Sequence, residues 1–186
     1  PSKGPPAVSV VIATHNRPQA VGRLLDAVAG QSLQDIEVVV VDDGSEREAF
    51  DALAATVDGL GPRFRLLRNE VPQGPSAARN RGVETSNGRF VTFCDDDDLW
   101  TRDDHLACAV AALDQGGLDL FFGGMAKIGA GEAAAGMWFE PVLKRGGAHR
   151  LTGGDDLYLI DAHRLADFLN HRILHANTLV IRRELF

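Results

Sequence analysis

Cysteine is nearly absent from this chain. Cys94 and Cys108 are the only two in 186 residues, so there is no disulfide framework, and neither lies in the paired Cys/His spacing of a zinc site. Both read as small buried hydrophobes. Long apolar runs are missing too: none reaches the roughly 20 residues a membrane helix needs, which gives no transmembrane segment. The opening PSKGPPAV has neither the charged nor the apolar part of a signal peptide, and the expectation is a soluble, cytoplasmic protein. Basic residues are in deficit, 19 Lys and Arg against 26 Asp and Glu for a net charge of −7, which argues against a nucleic-acid partner. No Walker A run and no Gly-x-Gly-x-x-Gly follows the first apolar segment, which counts against ATPase and dehydrogenase chemistry.

What is present is 45% hydrophobic and 24% charged sequence, enough for one domain with a core, or a domain and part of another. The runs Val8 to Ala13, Ile36 to Val41 and Phe90 to Cys94 are short, rich in β-branched or aromatic residues, and bounded by Gly, Pro, Asp or Asn. They read as strands buried on both faces of a parallel sheet. Helical spacing of Ala20, Val21, Leu24, Leu25 and Val28 fills Arg17 to Gly30, with Pro18 suited to the helix start and Gly30 to its end. The order continues with a helix near Glu46 to Val57, a strand Phe64 to Arg68 and a helix Ser76 to Thr85. Beyond Trp100 a helix Asp103 to Gln115 and a strand Asp119 to Gly123 are expected. A loop Gly146 to Asp156, a helix Ala162 to Asn170 and a strand Asn177 to Ile181 follow. Alternating β and α predicts an open, doubly wound α/β sheet with ligands beyond the carboxyl ends of its strands.

Polar clusters sit at those ends: Thr14, His15 and Asn16; Asp42, Asp43, Gly44 and Ser45; and four consecutive acids, Asp95 to Asp98. Four adjacent carboxylates need a counter-charge, for which a divalent cation is the obvious choice. Hard oxygen ligands select Mg²⁺ or Mn²⁺, bound through one or two carboxylates plus water and phosphate oxygens. If the run is extended, Asp95 and Asp97 face one way and Asp96 and Asp98 the other. A solvated helix-capping turn is the plain alternative, with Asp98 a cap or a partner for Arg102. Asp42 to Ser45 has the composition of a turn, yet a carboxylate at the crevice can also accept from a base N–H or a ribose hydroxyl. Arg79 and Arg81 lie about 200° apart on their helix. One should therefore face the crevice, the other making a surface salt bridge.

Three motifs in order and spacing resemble the family 2 glycosyltransferases of the GT-A fold. They are VVIATHNR at 10–17, VVVDDGS at 39–45, and ARNRG at 78–82 leading through GRFV at 88–91 to FCDDDDLW at 93–100; HANTLVIRRELF at 175–186 is a weaker fourth. The resemblance implies a GT-A sheet flanked by helices, with a Rossmann-like donor-binding half over 1–102 and a partial acceptor-side half over 103–186. It implies transfer of a sugar with inversion from a nucleoside-diphosphate sugar, UDP favoured, to a carbohydrate or other hydroxyl acceptor. By position, Thr14, Asn16, Asp42, Arg79, Asp95 and Asp96 would bind the donor. Asp97 with Asp95 would hold Mn²⁺ or Mg²⁺, and Trp100 and His175 would line the acceptor side. The family's catalytic carboxylate normally follows the segment matching 176–186, so the base is expected beyond Phe186, with Asp156 a weak candidate in the wrong order. A donor-binding module without turnover, and a nucleotidyltransferase with similar Asp-metal logic, are the competing readings.

Overall fold

The computed structural model describes residues 4–98, 100–123 and 176–186, with the backbone of 148–150 and 158–160. Strands β1 (Val8–Thr14), β2 (Ile36–Asp42), β3 (Phe64–Arg68) and β4 (Phe90–Phe93) alternate with helices α1 (Pro18–Ala29), α2 (Arg47–Gly59) and α3 (Pro75–Thr85). Helix α4 (His105–Gly116) and strand β5 (Leu120–Phe122) follow, and β8 (Leu179–Arg182) lies near the C-terminus. One sheet has the order β3-β2-β1-β4-β8-β5. The first four strands are mutually parallel and β8 runs antiparallel to both β4 and β5. This is the mixed α/β, mostly parallel sheet flanked by helices that the alternation predicts.

Each central strand is buried along nearly its whole length because helices cover both faces. Val8, Val10 and Ile12 of β1 point to α1, α2 and α4, whereas Val11 packs with Val83 of α3 and Val91. The buried stripe of α1, Val21, Leu24, Leu25 and Val28, follows the helical period read from the sequence. Burying each such side chain stabilises by roughly 1.5–3 kcal/mol, an upper estimate against a partly collapsed unfolded chain. Gly82 brings α3 onto the sheet, since a Cβ there would overlap Val11 Cγ1.

At the amino ends of the strands, Glu37 collects Ser9 Oγ at 2.7 Å, the Asn87 and Gly88 amides, and Arg65 at 3.0 Å. Burial alone would raise its pKa; those donors and the arginine charge outweigh it and hold the carboxyl below its ordinary value.

Two expectations change. Residues 146–156, read as loop, contain strand β6 (Ala148–Arg150), which pairs antiparallel with β7 (Tyr158–Ile160) in a separate ribbon. Ala176–Thr178 form a 3₁₀ turn, so the strand expected from Asn177 starts at Leu179. Its antiparallel direction is invisible in an apolar run, which reads the same both ways. The helix expected over 162–170 lies outside the described residues. Among the described residues no helix is long and apolar enough to cross a membrane.

Candidate active site

The carboxyl ends of β1, β2 and β4 meet at one edge of the sheet. From β1 the chain order proceeds to β2 on one side and to β4 on the other, so a crevice opens between β1 and β4. Thr14, the last residue of β1, spans it by donating to Asp96 Oδ2 at 2.7 Å.

The acidic run is a tight turn, closed by the Asp98 amide on the Asp95 carbonyl at 3.1 Å. The alternation expected of an extended segment therefore does not occur. Asp95 pairs with the Arg79 guanidinium on α3. Asp96, buried, takes Thr14 on one oxygen and Arg17 on the other at 3.0 Å; Arg17 also reaches exposed Asp97 at 3.1 Å. Asp98 accepts from the Asn177 amide, while Arg102 forms a two-toothed pair with Asp104 at 2.7 and 2.6 Å. Two arginines thus supply counter-charge that the sequence reading gave to a cation, and hydrogen bonds and charge from Asp96, then Asp97, raise the Arg17 pKa further.

Asp42 is fully buried at the end of β2. Its Oδ2 accepts the Ser45 amide at 3.1 Å and lies 3.8 Å from Arg68 Nε, and the Arg68 guanidinium stacks 4.3 Å over Phe50. Asp42 Oδ1 and Arg68 Nε are buried without hydrogen-bond partners. A buried acceptor without a partner is an exception in a folded protein and calls for an explanation. Asp43 beside it is fully employed: Oδ1 accepts Asn69 Nδ2 at 2.6 Å and the Gln73 amide at 2.9 Å, Oδ2 the Gly74 amide at 2.7 Å. Burial would raise its pKa, but these donors outweigh it and lower it.

Gly44 takes φ +73°, and a Cβ there would stand 2.7 Å from Pro72 Cδ, so the loop before α3 lies directly on this turn. Asn16, in the left-handed region at φ 58°, accepts the Glu46 amide at 2.8 Å while its own amide donates to Ser45 Oγ at 2.8 Å. It clasps the β1 and β2 loops together, so its side-chain oxygen is engaged within the protein. His15 Nδ1 lies 2.9 Å from the Asp43 carbonyl.

The structure gathers Thr14, Asp42, Arg79, Asp95, Asp96 and Asp97 around the same edge. Arg79 is the crevice-facing arginine, but Arg81 is not a surface ion pair: it donates to the Arg68 carbonyl at 2.7 Å and to Asn69 Oδ1. Trp100 donates through Nε1 to the Asn177 carbonyl at 3.1 Å and its ring lies 5.1 Å from that of His105 at a tilt of 47°. Asp156 and His175 lie outside the described residues. Arg17, Asp43 and Asn177 are the participants that residue type alone did not single out. Arg17 was legible only as part of the Thr-His-Asn-Arg string, and Asn177 only by its place before a strand.

No group of three or more His, Cys, Asp and Glu side chains converges as a metal cage among the described residues. The acidic turn still suits a hard cation in the one-carboxylate mode, because Asp97 has a two-thirds exposed side chain with oxygen donors.

The family model described as "Glycosyl transferase family 2" matches residues 9–165. The succinoglycan biosynthesis protein ExoW of Rhizobium meliloti is 30% identical over 184 residues, 96% of this chain and 56% of its own length. Among solved structures, TarS of S. aureus in complex with UDP-GlcNAc superposes with a TM-score of 0.68 at 25% identity, covering 96% of this chain and 46% of that one. The mannosyltransferase PcManGT of Pyrobaculum calidifontis, in complex with GDP-Man and Mn²⁺, gives a TM-score of 0.56 at 27% identity, covering 63% of this chain and 35% of that one. The chain therefore spans between a third and just over half of these relatives.

Proposed function

The chain belongs to glycosyl transferase family 2, and from that premise we propose that it binds a nucleoside-diphosphate sugar and passes the sugar to an acceptor hydroxyl. The observation that carries this reading is the buried, unpartnered Oδ1 of Asp42, on the residue opposite Thr14 in the β1–β2 register, at the same sheet edge as the Arg79–Asp95 and Thr14–Asp96 pairs. That oxygen can accept one N–H from a base, while Arg79 can share its fork between Asp95 and a base carbonyl or phosphate oxygen. UDP is the favoured nucleotide: uracil, like thymine and unlike guanine, offers such an Asp and Arg pair an N–H donor flanked by two carbonyls. The solved relative holding UDP-GlcNAc is in keeping with it.

Asp97 would hold Mn²⁺ or Mg²⁺, with Asp95 as a second ligand if Arg79 turns to the donor; a structural relative carries Mn²⁺. When bound, the ion would neutralise charge on the departing diphosphate. Arg17, on Asp96 and Asp97, must yield part of its grip to it, and its freed N–H groups would lie within the same charged crevice. Thr14 keeps Asp96 oriented throughout. Direct displacement with inversion needs a base to deprotonate the acceptor, and no described residue is assigned to it. Trp100, fixed by its indole N–H, offers a ring wall on the acceptor side.

Calorimetry with Mn²⁺ and UDP, GDP and dTDP tests the reading. At least one should bind, Asp97→Ala should remove the metal dependence of binding, and Asp42→Ala should weaken the preferred base. No binding to any of the three would refute it. A donor-binding module without turnover is the competing reading; hydrolysis or transfer by the purified protein at an enzyme-like rate would reject it.

A further inference from the structure

We propose that Asn177 is a positioning residue for the acidic turn, fixing which carboxylate faces solvent and a cation with only an exchangeable arginine on it; this rests on the donor-site reading above. Strands β4 and β8 pair antiparallel with Phe90 opposite Arg182, Val91 opposite Ile181 and Thr92 opposite Val180. Continued two steps past Cys94 and Thr178 have no room for a regular ladder, since Ala176–Thr178 turn into a 3₁₀ helix. In that register Asn177 falls opposite Asp95. There the ladder bond is replaced by a side chain: Asn177 Oδ1 accepts the Asp95 amide at 3.0 Å.

The same amide group faces the far end of the turn, where Nδ2 donates to Asp98 Oδ2. The Asn177 backbone carbonyl takes Trp100 Nε1 at 3.1 Å, so one residue pins the segment before, at and after the turn. Asn177 is itself 2% exposed, and its neighbours are anchored by Thr92 Oγ1 on the Leu179 carbonyl at 2.6 Å and the Gly123 amide on the Thr178 carbonyl at 3.0 Å. It cannot drift with the turn.

This arrangement sorts the four acids. Asp98 is drawn toward Asn177, Asp95 toward Arg79, and Asp96 under Thr14, which leaves Asp97 the most exposed of the acids paired with arginine, held by Arg17 alone at 3.1 Å. An amide is the side chain that can do this, because it accepts from a backbone N–H with one atom and donates to a carboxylate with the other. It also ties the strand leading from the acceptor-side half to the cation position in the donor half.

The test exchanges the two partners. Asn177→Asp keeps the acceptor for the Asp95 amide, loses the donor and sets two carboxylates against each other; Asn177→Asp with Asp98→Asn restores one donor and one acceptor at unchanged net charge. Mn²⁺ affinity in the presence of UDP is measured by calorimetry and by Mn²⁺ electron paramagnetic resonance, with Tm followed in parallel. We expect Asn177→Asp to bind Mn²⁺ about tenfold more weakly despite its added negative charge, and the exchange variant to recover to within about threefold of the parent. Equal or tighter Mn²⁺ binding by folded Asn177→Asp would overturn the proposal, as would an exchange variant that regains Tm without regaining Mn²⁺. If Asn177→Asp does not fold, the exchange variant alone decides. Failure of the parent itself to bind Mn²⁺ with any of UDP, GDP or dTDP is a different result: it removes the donor-site reading, and the role of Asn177 toward the cation with it.

Discussion

Asp43 offers the most direct test of how the carboxyl edge of the sheet is built. Its carboxylate receives three donors, Asn69 Nδ2, the Gln73 amide and the Gly74 amide. In Asp43→Asn only one oxygen remains, and in either orientation the new NH₂ faces at least one of those donors. The less costly orientation surrenders the Gly74 bond and turns two charge-assisted bonds into neutral ones. A charge-assisted bond contributes about 1.5–3 kcal/mol and a neutral one about 0.5–1.5, so the gross loss is about 3.5–6 kcal/mol. Gln73 is exposed and Gly74 half-buried, so water recovers part of this, whereas Asn69 is sealed from solvent. The expected loss is about 2–4 kcal/mol in urea unfolding at neutral pH. Gln73 and Gly74 also lead into α3, which carries Arg79, so nucleotide affinity should fall with stability. A stability change below about 0.5 kcal/mol would refute the reasoning, because it would mean the three contacts carry no net free energy. So would full additivity with Asn69→Ala, since residues sharing a hydrogen bond should couple.

Acid titration gives a second check. Asp43 and Glu37 both have lowered pKa values in the folded protein, so the unfolded chain binds more protons as pH drops below about 4 and stability falls from there toward the folded values. Glu37→Gln should flatten part of that slope and, by setting an amide donor against Arg65, cost about 1–3 kcal/mol at neutral pH; an unchanged slope would count against the burial-plus-donor account. Gly82→Ala should destabilise by about 1–3 kcal/mol in chemical unfolding, because the added methyl meets the rigid Val11 side chain of a central strand. Cys94 is buried and its thiol is pushed far up, by burial first and then by Asp98, Asp95 and Asp97. It should therefore resist alkylation in the folded protein while Cys108 reacts sooner, as mass spectrometry of labelled peptides would read.

Strands β1 to β4 were legible because parallel strands covered on both faces are written as unbroken apolar runs. Ile36–Asp42 has all seven residues buried. Their order of alternation then located the crevice, and with it Thr14, Asp42 and the acidic run. What the sequence concealed depends on contacts between distant residues. Arg17 reaches Asp96 across 79 positions, and Asn177 reaches Asp95 across 82. Neither partner can be inferred from its own surroundings in the chain. The orientation of β8 was hidden for another reason, since Leu179–Arg182 has the same composition in either direction. Arg81 was misjudged because its helix face predicts exposure but not the carbonyls of Arg68 and Asn69 Oδ1 that rise to meet it.

The counter-charge of the acidic turn alters what the net charge of −7 means. Read as composition, four adjacent acids demand a cation. In the folded chain three of them are already engaged by arginines, and the fourth by Asn177. The turn can therefore exist without metal, and a metal must compete with Arg17 for Asp97. Competition of this kind favours the ion only when it arrives with additional ligands, because one exposed carboxylate in water gains little from exchanging a guanidinium for a hydrated cation. A nucleoside diphosphate supplies those ligands and, by its own charge, a new partner for Arg17 and Arg79. Under the proposed function, tight metal binding should thus depend on the nucleotide, because the arginines that hold the acidic turn, Arg17 and Arg79, would gain the diphosphate as a new partner when the ion takes Asp97.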